Sequence, residues 1–107
     1  MVSLQTSMTA YNNNIGSFIS YLQFEKRYSQ HTIASYNTDL KEFFEYLHKQ
    51  FEVNDPASVT TVFVRSWLAH LKGARNIAAR SIRRKASSLK SFFKYLMRQG
   101  VITNTPM

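Results

Sequence analysis

Residues 78–100 read AARSIRRKASSLKSFFKYLMRQG, and the spacing of the apolar side chains in this stretch decides the fold. At 100° per residue, Ala86, Leu89, Phe93 and Leu96 fall within about 40° of Ile82, with Phe92 on the flank. A stripe repeating every three to four residues is the signature of an amphipathic helix, not of a strand, whose faces alternate at every second residue. The other side of the wheel is cationic. Arg80, Arg83, Arg84, Lys90, Lys94 and Arg98 fall between roughly 80° and 200°, with Ser87 and Ser91 in the gaps. Lys85 lies near the apolar flank, where its stem is expected to snorkel so that the ammonium reaches water.

Three further segments carry the same period. Tyr11, Ile15, Phe18, Ile19 and Leu22 share one helical face. Ser29 is a good N-cap for a second helix with Ile33, Tyr36, Leu40, Phe43, Phe44 and Leu47 on its stripe, ending before Asn54-Asp55-Pro56. Thr60 or Thr61 is suited to cap a third, bearing Val64, Trp67, Leu68 and Leu71, with Gly73 as its stop signal. No stretch alternates long enough to make a strand. The expected fold is therefore all-α, with four helices on one core and the longest loop between the second and third.

Composition narrows the function classes. The chain has 107 residues and no cysteine, which removes a disulfide scaffold, a Cys-ligated zinc site and thiol catalysis. Its length suits a single domain. No apolar run approaches the roughly 18 residues of a membrane span, and the N-terminus lacks the layout of a signal peptide. The 14 Lys and Arg outnumber the 6 Asp and Glu, for a net charge of +8, and the excess is lopsided. Residues 1–55 hold 4 basic and 6 acidic side chains, whereas residues 56–107 hold 10 basic and no acidic ones. A half of one sign points to a polyanionic partner.

An ordinary solvated helix face mixes charge signs, because opposite charges four residues apart stabilise a helix and like charges oppose it by a few tenths of a kcal/mol. Arg80 with Arg84, and Lys90 with Lys94, are like-charge pairs with no acid on the same helix. Arginines in the first turns also oppose the helix dipole. A bound phosphate backbone relieves both conflicts. A membrane is a poor partner, since the apolar face is needed for the core. Single strands need exposed aromatic platforms, and the aromatics here fall on core faces. A cationic helix with small hydroxyl residues suits the groove of a duplex. On the second helix, His31, Ser35 and Thr38 point away from the apolar stripe, so the first half of that helix is a possible companion surface.

These segments resemble a known family. The stretch SQHTIASYNTDLKEFFEYL over residues 29–47 is similar to the second helix of the core-binding domain of tyrosine recombinases and phage-type integrases. Val59-Thr60 followed by VRSWLAHL over 64–71, then Ser81-Ile82, Arg84-Lys85 and LKSFFKYL over 89–96, resemble later parts of the same domain in the same order. Asn104-Thr105-Pro106 departs from the Asn-Pro that usually closes the family's domain.

The resemblance implies a SAM-like bundle of four to five helices over residues 1–107, forming one half of a clamp around double-stranded DNA. It implies DNA contacts by His31, Thr32 and Ser35 on the second helix and by Arg80, Ser81, Arg83, Arg84 and Ser87 on the fourth, with Lys90 and Lys94 reaching phosphates at longer range. It also implies that the tyrosine nucleophile and its assisting arginines, histidines and lysine lie in a second, C-terminal domain absent from this chain, so that no catalytic residue, metal or cofactor is expected here. The full-length recombinase is expected to act as a homotetramer on DNA in a bacterial or phage-encoded, cytoplasmic setting, with this portion monomeric and away from membranes.

Two rivals remain from the residues alone. One is a helical protein–protein interaction module whose basic face meets an acidic partner. The other is a helix-turn-helix regulator, disfavoured by the roughly six residues, Lys72 to Ile77, between the third and fourth segments, where such motifs use three or four. His48 and His70 lack metal-ligand spacing and read as structural, as does Trp67. Glu45 and Lys49 are spaced as a helix-stabilising pair. Exchanging both Arg80 and Arg84 for Glu is expected to abolish duplex binding while leaving helical content and melting temperature nearly intact.

Overall fold

Each apolar stripe becomes a helix. The computed structural model describes the backbone of residues 2–107 and the side chains of residues 11–107. Helices α1 (Val2–Phe24), α2 (Gln30–Phe51), α3 (Thr61–Gly73) and α4 (Ala79–Arg98) follow one another, with a 3-10 turn at Pro56–Ser58 in the longest connection. No strand occurs among the described residues. The expected all-α, SAM-like bundle of four to five helices is the observed fold.

Helix α2 packs against all three others, and two adjacent aromatics explain how. Neighbouring residues on a helix diverge by about 100°, so Phe43 and Phe44 address different partners. Phe43 meets Trp67 of α3 edge-on at 5.2 Å, while Phe44 stacks on Tyr11 of α1 at 4.9 Å. Both reach α4, Phe43 against Phe93 and Phe44 against Phe92. These rings, with Phe18, Leu40, Leu47, Leu71, Leu89 and Leu96, form one buried core. Edge-to-face pairs at such distances each contribute about 0.5–1.5 kcal/mol beyond the area they bury.

The helix ends follow the expected signals in part. Ser29 caps α2 as expected, its Oγ accepting the N–H of Thr32. Thr60 is the N-cap of α3 but makes no side-chain cap bond, and the Thr61 hydroxyl instead donates to the carbonyl of Pro106 at 2.8 Å. With Ile102 and Pro106 buried, this bond folds the C-terminal segment back onto the start of α3. Helix α3 ends at Gly73 as expected, although Gly73 itself does not reverse the chain. That turn is made by Asn76 in the left-handed region (φ 53°), after which Ile77 N–H returns to the carbonyl of Leu71. Arg27 (φ 54°) and Glu52 (φ 57°) do the same after α1 and α2, returning Tyr28 N–H to Leu22 and Val53 N–H to Leu47. Only Gly100 (φ 76°) supplies a glycine where the left-handed region requires one.

Helix α4 is rolled relative to the wheel expectation. Its buried residues are Lys85, Ser88, Leu89, Phe92, Phe93 and Leu96, while Ile82 and Ala86 are only half-buried, a rotation of about 50°. The cause lies on α2. Asp39 is fully buried, accepting from Lys85 Nζ (3.0 Å) and Arg84 Nη2 (2.9 Å) on Oδ1 and from Ser88 Oγ (2.8 Å) on Oδ2. Lys85 Nζ also donates to Glu42 Oε1 at 2.9 Å, and Arg75 lies 3.7 Å from the same oxygen. The expected snorkelling of Lys85 is therefore corrected: its ammonium stays inside because a buried carboxylate awaits it. Glu42 serves this cluster, and Glu45 with Lys49 is not among the ion pairs of the described residues.

Two substitutions separate the apolar and ionic parts of this packing. Trp67→Ala is expected to cost about 3–5 kcal/mol in denaturant unfolding through the cavity it leaves. Asp39→Ala is expected to cost a similar 3–5 kcal/mol by leaving buried Lys85 with only the half-exposed Glu42 as counter-charge. A loss below about 1 kcal/mol for Asp39→Ala would contradict the buried cluster.

Candidate nucleic-acid interface

Beside the ion cluster, α2 and α4 border a groove lined by His31, Thr32, Ser35, Tyr36, Arg84, Ser87 and Ser88. Five of the ten sequence-predicted site residues, His31, Thr32, Ser35, Arg84 and Ser87, thus share one concave surface. Ser29 fixes the lip of this groove, since its Oγ both accepts from Thr32 N–H and donates to Thr32 Oγ1 at 3.0 Å. His31 and Thr32 are exposed and Ser35 is half-buried. Ser81, by contrast, is half-buried in the first turn of α4 and does not line the groove.

The fourth-helix cations divide into two populations. Arg80, Arg83, Lys90 and Lys94 are exposed and belong to none of the ion pairs among the described residues. Arg84 is different: it pairs with Asp39, which offsets part of its charge, although 53% of its side chain remains accessible. Its like-charge conflict with Arg80 is therefore relieved from inside the protein, by an acid on another helix. Replacing Arg84 by Glu would set a carboxylate against buried Asp39, so the expectation that the Arg80 and Arg84 exchanges spare the fold is corrected.

The start of α4 adds to the positive field. Ala78 is its N-cap, with no side-chain cap bond and no acid in the first turn, so free backbone N–H groups and the positive end of the dipole sit beside Arg80 and Arg83. Further along α4, Lys94 joins Lys26 and Arg98 around a second cleft walled by Tyr21, Tyr28, Tyr36 and Tyr95. Arg98 Nη1 donates to the Tyr21 hydroxyl at 3.4 Å. Lys26 was missed by the sequence reading because it lies in the loop between α1 and α2, in the net-acidic half. Its i,i+4 neighbours give no hint of the cleft.

Tyr11, Tyr46 and Tyr95 are anchors. Tyr46 Oη lies 2.7 Å from Ser66 Oγ and its ring lies against His70. Burial, helped by the Glu25 carboxylate and by Tyr21, pushes the Tyr95 phenol above its ordinary value of 10.0, away from easy ionisation. Burial, with Glu45, does the same to Tyr11. No group of three or more His, Cys, Asp or Glu side chains placed to hold a metal ion occurs among the described residues, and none of their helices is long and apolar enough to cross a membrane. A raised folded-state pKa stabilises the fold below the unfolded value and the contribution is lost as pH rises through the folded one. Stability is therefore expected to fall above about pH 10. Tyr95→Phe should reduce that fall, as measured by denaturant melts across the alkaline range.

Comparison with known proteins gives a consistent family. Residues 15–100 match the family described as phage integrase, N-terminal SAM-like domain. A tyrosine recombinase XerC of Anoxybacillus flavithermus is 41% identical over 95 residues, covering 89% of this chain and 31% of that protein. One from Leptospira interrogans is 41% identical over 100 residues, covering 94% of this chain and 32% of its own, and one from Chlorobaculum tepidum is 35% identical over 98 residues, covering 87% and 29%. The chain spans about a third of the length of these curated relatives. No solved structure gives a significant match. With the helical order, the bundle and the matched span in agreement, the chain belongs to the phage integrase N-terminal SAM-like domain family.

Proposed function

We propose that the chain is the DNA-binding, N-terminal core-binding domain of a tyrosine-type site-specific recombinase, and that it clamps one side of duplex DNA during integration or recombination. The observation that carries this reading is the row of exposed, uncompensated cations on α4 beside an uncapped helix N-terminus. A surface that lacks internal counter-charge is stabilised by an external polyanion, and its gain on binding is counterion release. On this reading His31, Thr32, Ser35, Arg84 and Ser87, which line the groove between α2 and α4, face the same duplex, and Arg80, Arg83, Lys90 and Lys94 meet backbone phosphates. Ser81 is the weakest of the sequence-derived contacts in this geometry.

The relatives named tyrosine recombinases support the wider assignment. On this reading residues 1–107 are a single core-binding domain, and strand cleavage and rejoining belong to a catalytic domain elsewhere in the recombinase. The full-length protein assembles as a homotetramer on DNA, the isolated domain is monomeric, and both work in the cytoplasm where bacterial DNA is reached.

Titration of the chain against duplex DNA at rising salt tests the reading. The logarithm of affinity should fall linearly with the logarithm of salt, with a slope of about −0.9 for each of roughly four to six phosphates neutralised. Arg80→Glu with Arg83→Glu should abolish binding at moderate salt without lowering the melting temperature, since neither residue is in an ion pair. Absence of binding at low salt, with capture of an acidic protein instead, would favour the protein-interaction alternative.

A further inference from the structure

We propose that Arg84 reads a guanine edge in the major groove and that buried Asp39 is the positioning residue that makes this possible, while Arg80, Arg83, Lys90 and Lys94 contact only the backbone. This assignment rests on the DNA-binding reading above and adds to it which side chain carries sequence information.

Two properties set Arg84 apart. The first is rigidity. Asp39 cannot turn, because Lys85 Nζ and Arg84 Nη2 occupy Oδ1 while Ser88 Oγ occupies Oδ2, and the residue has no solvent exposure. A guanidinium tied to such an anchor loses most of its rotamer freedom before any ligand arrives. It has five N–H donors in one plane, and a single bond to Asp39 leaves a pair for a second partner. The half-exposed side chain presents them in the groove, among Ser87, Ser35 and Thr32, whose small size permits close approach of a base edge.

The second property is charge. A phosphate contact draws its strength from uncompensated positive charge and the counterions it releases. Asp39 cancels much of that charge at Arg84, so Arg84 is a poor phosphate ligand. A base edge is neutral and asks instead for a fork of donors in a fixed plane, and bidentate Arg to guanine O6 and N7 is the commonest specific contact in the major groove. Arg80 and Arg83 have the opposite character, carrying full charge with no anchor, which suits positioning on the backbone.

Selection from a pool of duplexes with a randomised central segment tests the assignment, using the intact chain and sequencing the bound fraction. The wild-type chain should enrich guanine at one position by about 5- to 100-fold over the other bases. Arg84→Lys keeps the charge and removes the fork, so it should lose that enrichment while the salt slope stays unchanged. Asp39→Asn should lose enrichment at the same position. Arg80→Gln should keep the enriched position and reduce the salt slope by about one. Retention of the guanine by Arg84→Lys, or wild-type binding with no base preference, overturns the assignment and leaves the DNA-binding reading standing. Failure of the wild-type chain to bind any duplex at low salt overturns the DNA-binding reading itself. Arg84→Lys keeps the test valid even where Asp39→Asn proves too unstable to select.

Discussion

A carboxylate without solvent exposure sits between α2 and α4, and the arrangement of the cationic helix follows from it. Removing an ion from water costs several kcal/mol after relaxation, so Asp39 is tolerable only with its charge and lone pairs satisfied. Arg84, Lys85 and, one turn on, Ser88 satisfy them from one side of α4. Three contacts from one helix to one side chain fix both its height and its rotation on α2. The apolar residues of α4 then pack wherever this setting leaves them, which is why Ile82 rides higher than a hydrophobic wheel would place it.

The same cluster sorts the charge of the molecule. Arg75, Arg84 and Lys85 face Asp39 and Glu42, and the pairs through buried Lys85 are short where the more exposed Arg75–Glu42 pair is long. The acids of the first half of the chain thereby neutralise part of the second half from within. What remains unneutralised is concentrated on the outer face of α4, where Arg80 and Arg83 lie close to a helix end whose dipole has the same sign. Such a field is unfavourable in isolation and is relieved by an anionic partner. A bundle whose core alone is stable can tolerate this cost, and the aromatic contacts around Phe43 and Phe44 supply that core.

Membership in the phage integrase N-terminal SAM-like domain family accords with this division of labour. A small helical bundle imposes no function by itself, and what distinguishes this one lies on the face that α2 and α4 present together. The C-terminal segment is also part of the bundle, since the Thr61 hydroxyl and the buried Ile102 and Pro106 hold it against the start of α3. The direction in which the chain leaves α4 is thus set by the domain's own packing.

Local sequence determined the helices themselves. Three- and four-residue apolar spacing, the Ser29 cap and the absence of alternation fixed the all-α class, because those signals depend on neighbours within one or two turns. It also determined that the α4 surface is cationic, since charge is a property of residue type. Other features were decided only when helices met. Asp39 and Lys85 are 46 positions apart, and no periodicity links an acid on one helix to a cation on another. A wheel drawn from hydrophobicity placed Lys85 at the rim because it had no term for a buried counter-charge. The turn residues Arg27 and Glu52 were equally illegible, because each adopts a left-handed conformation for the sake of a chain reversal and not from its own preference, whereas Asn76 is of a type that enters that region readily. Sequence alone established which residues are charged. The tertiary structure decided which charges are already satisfied and which are left for a partner, because neutralisation requires proximity in space.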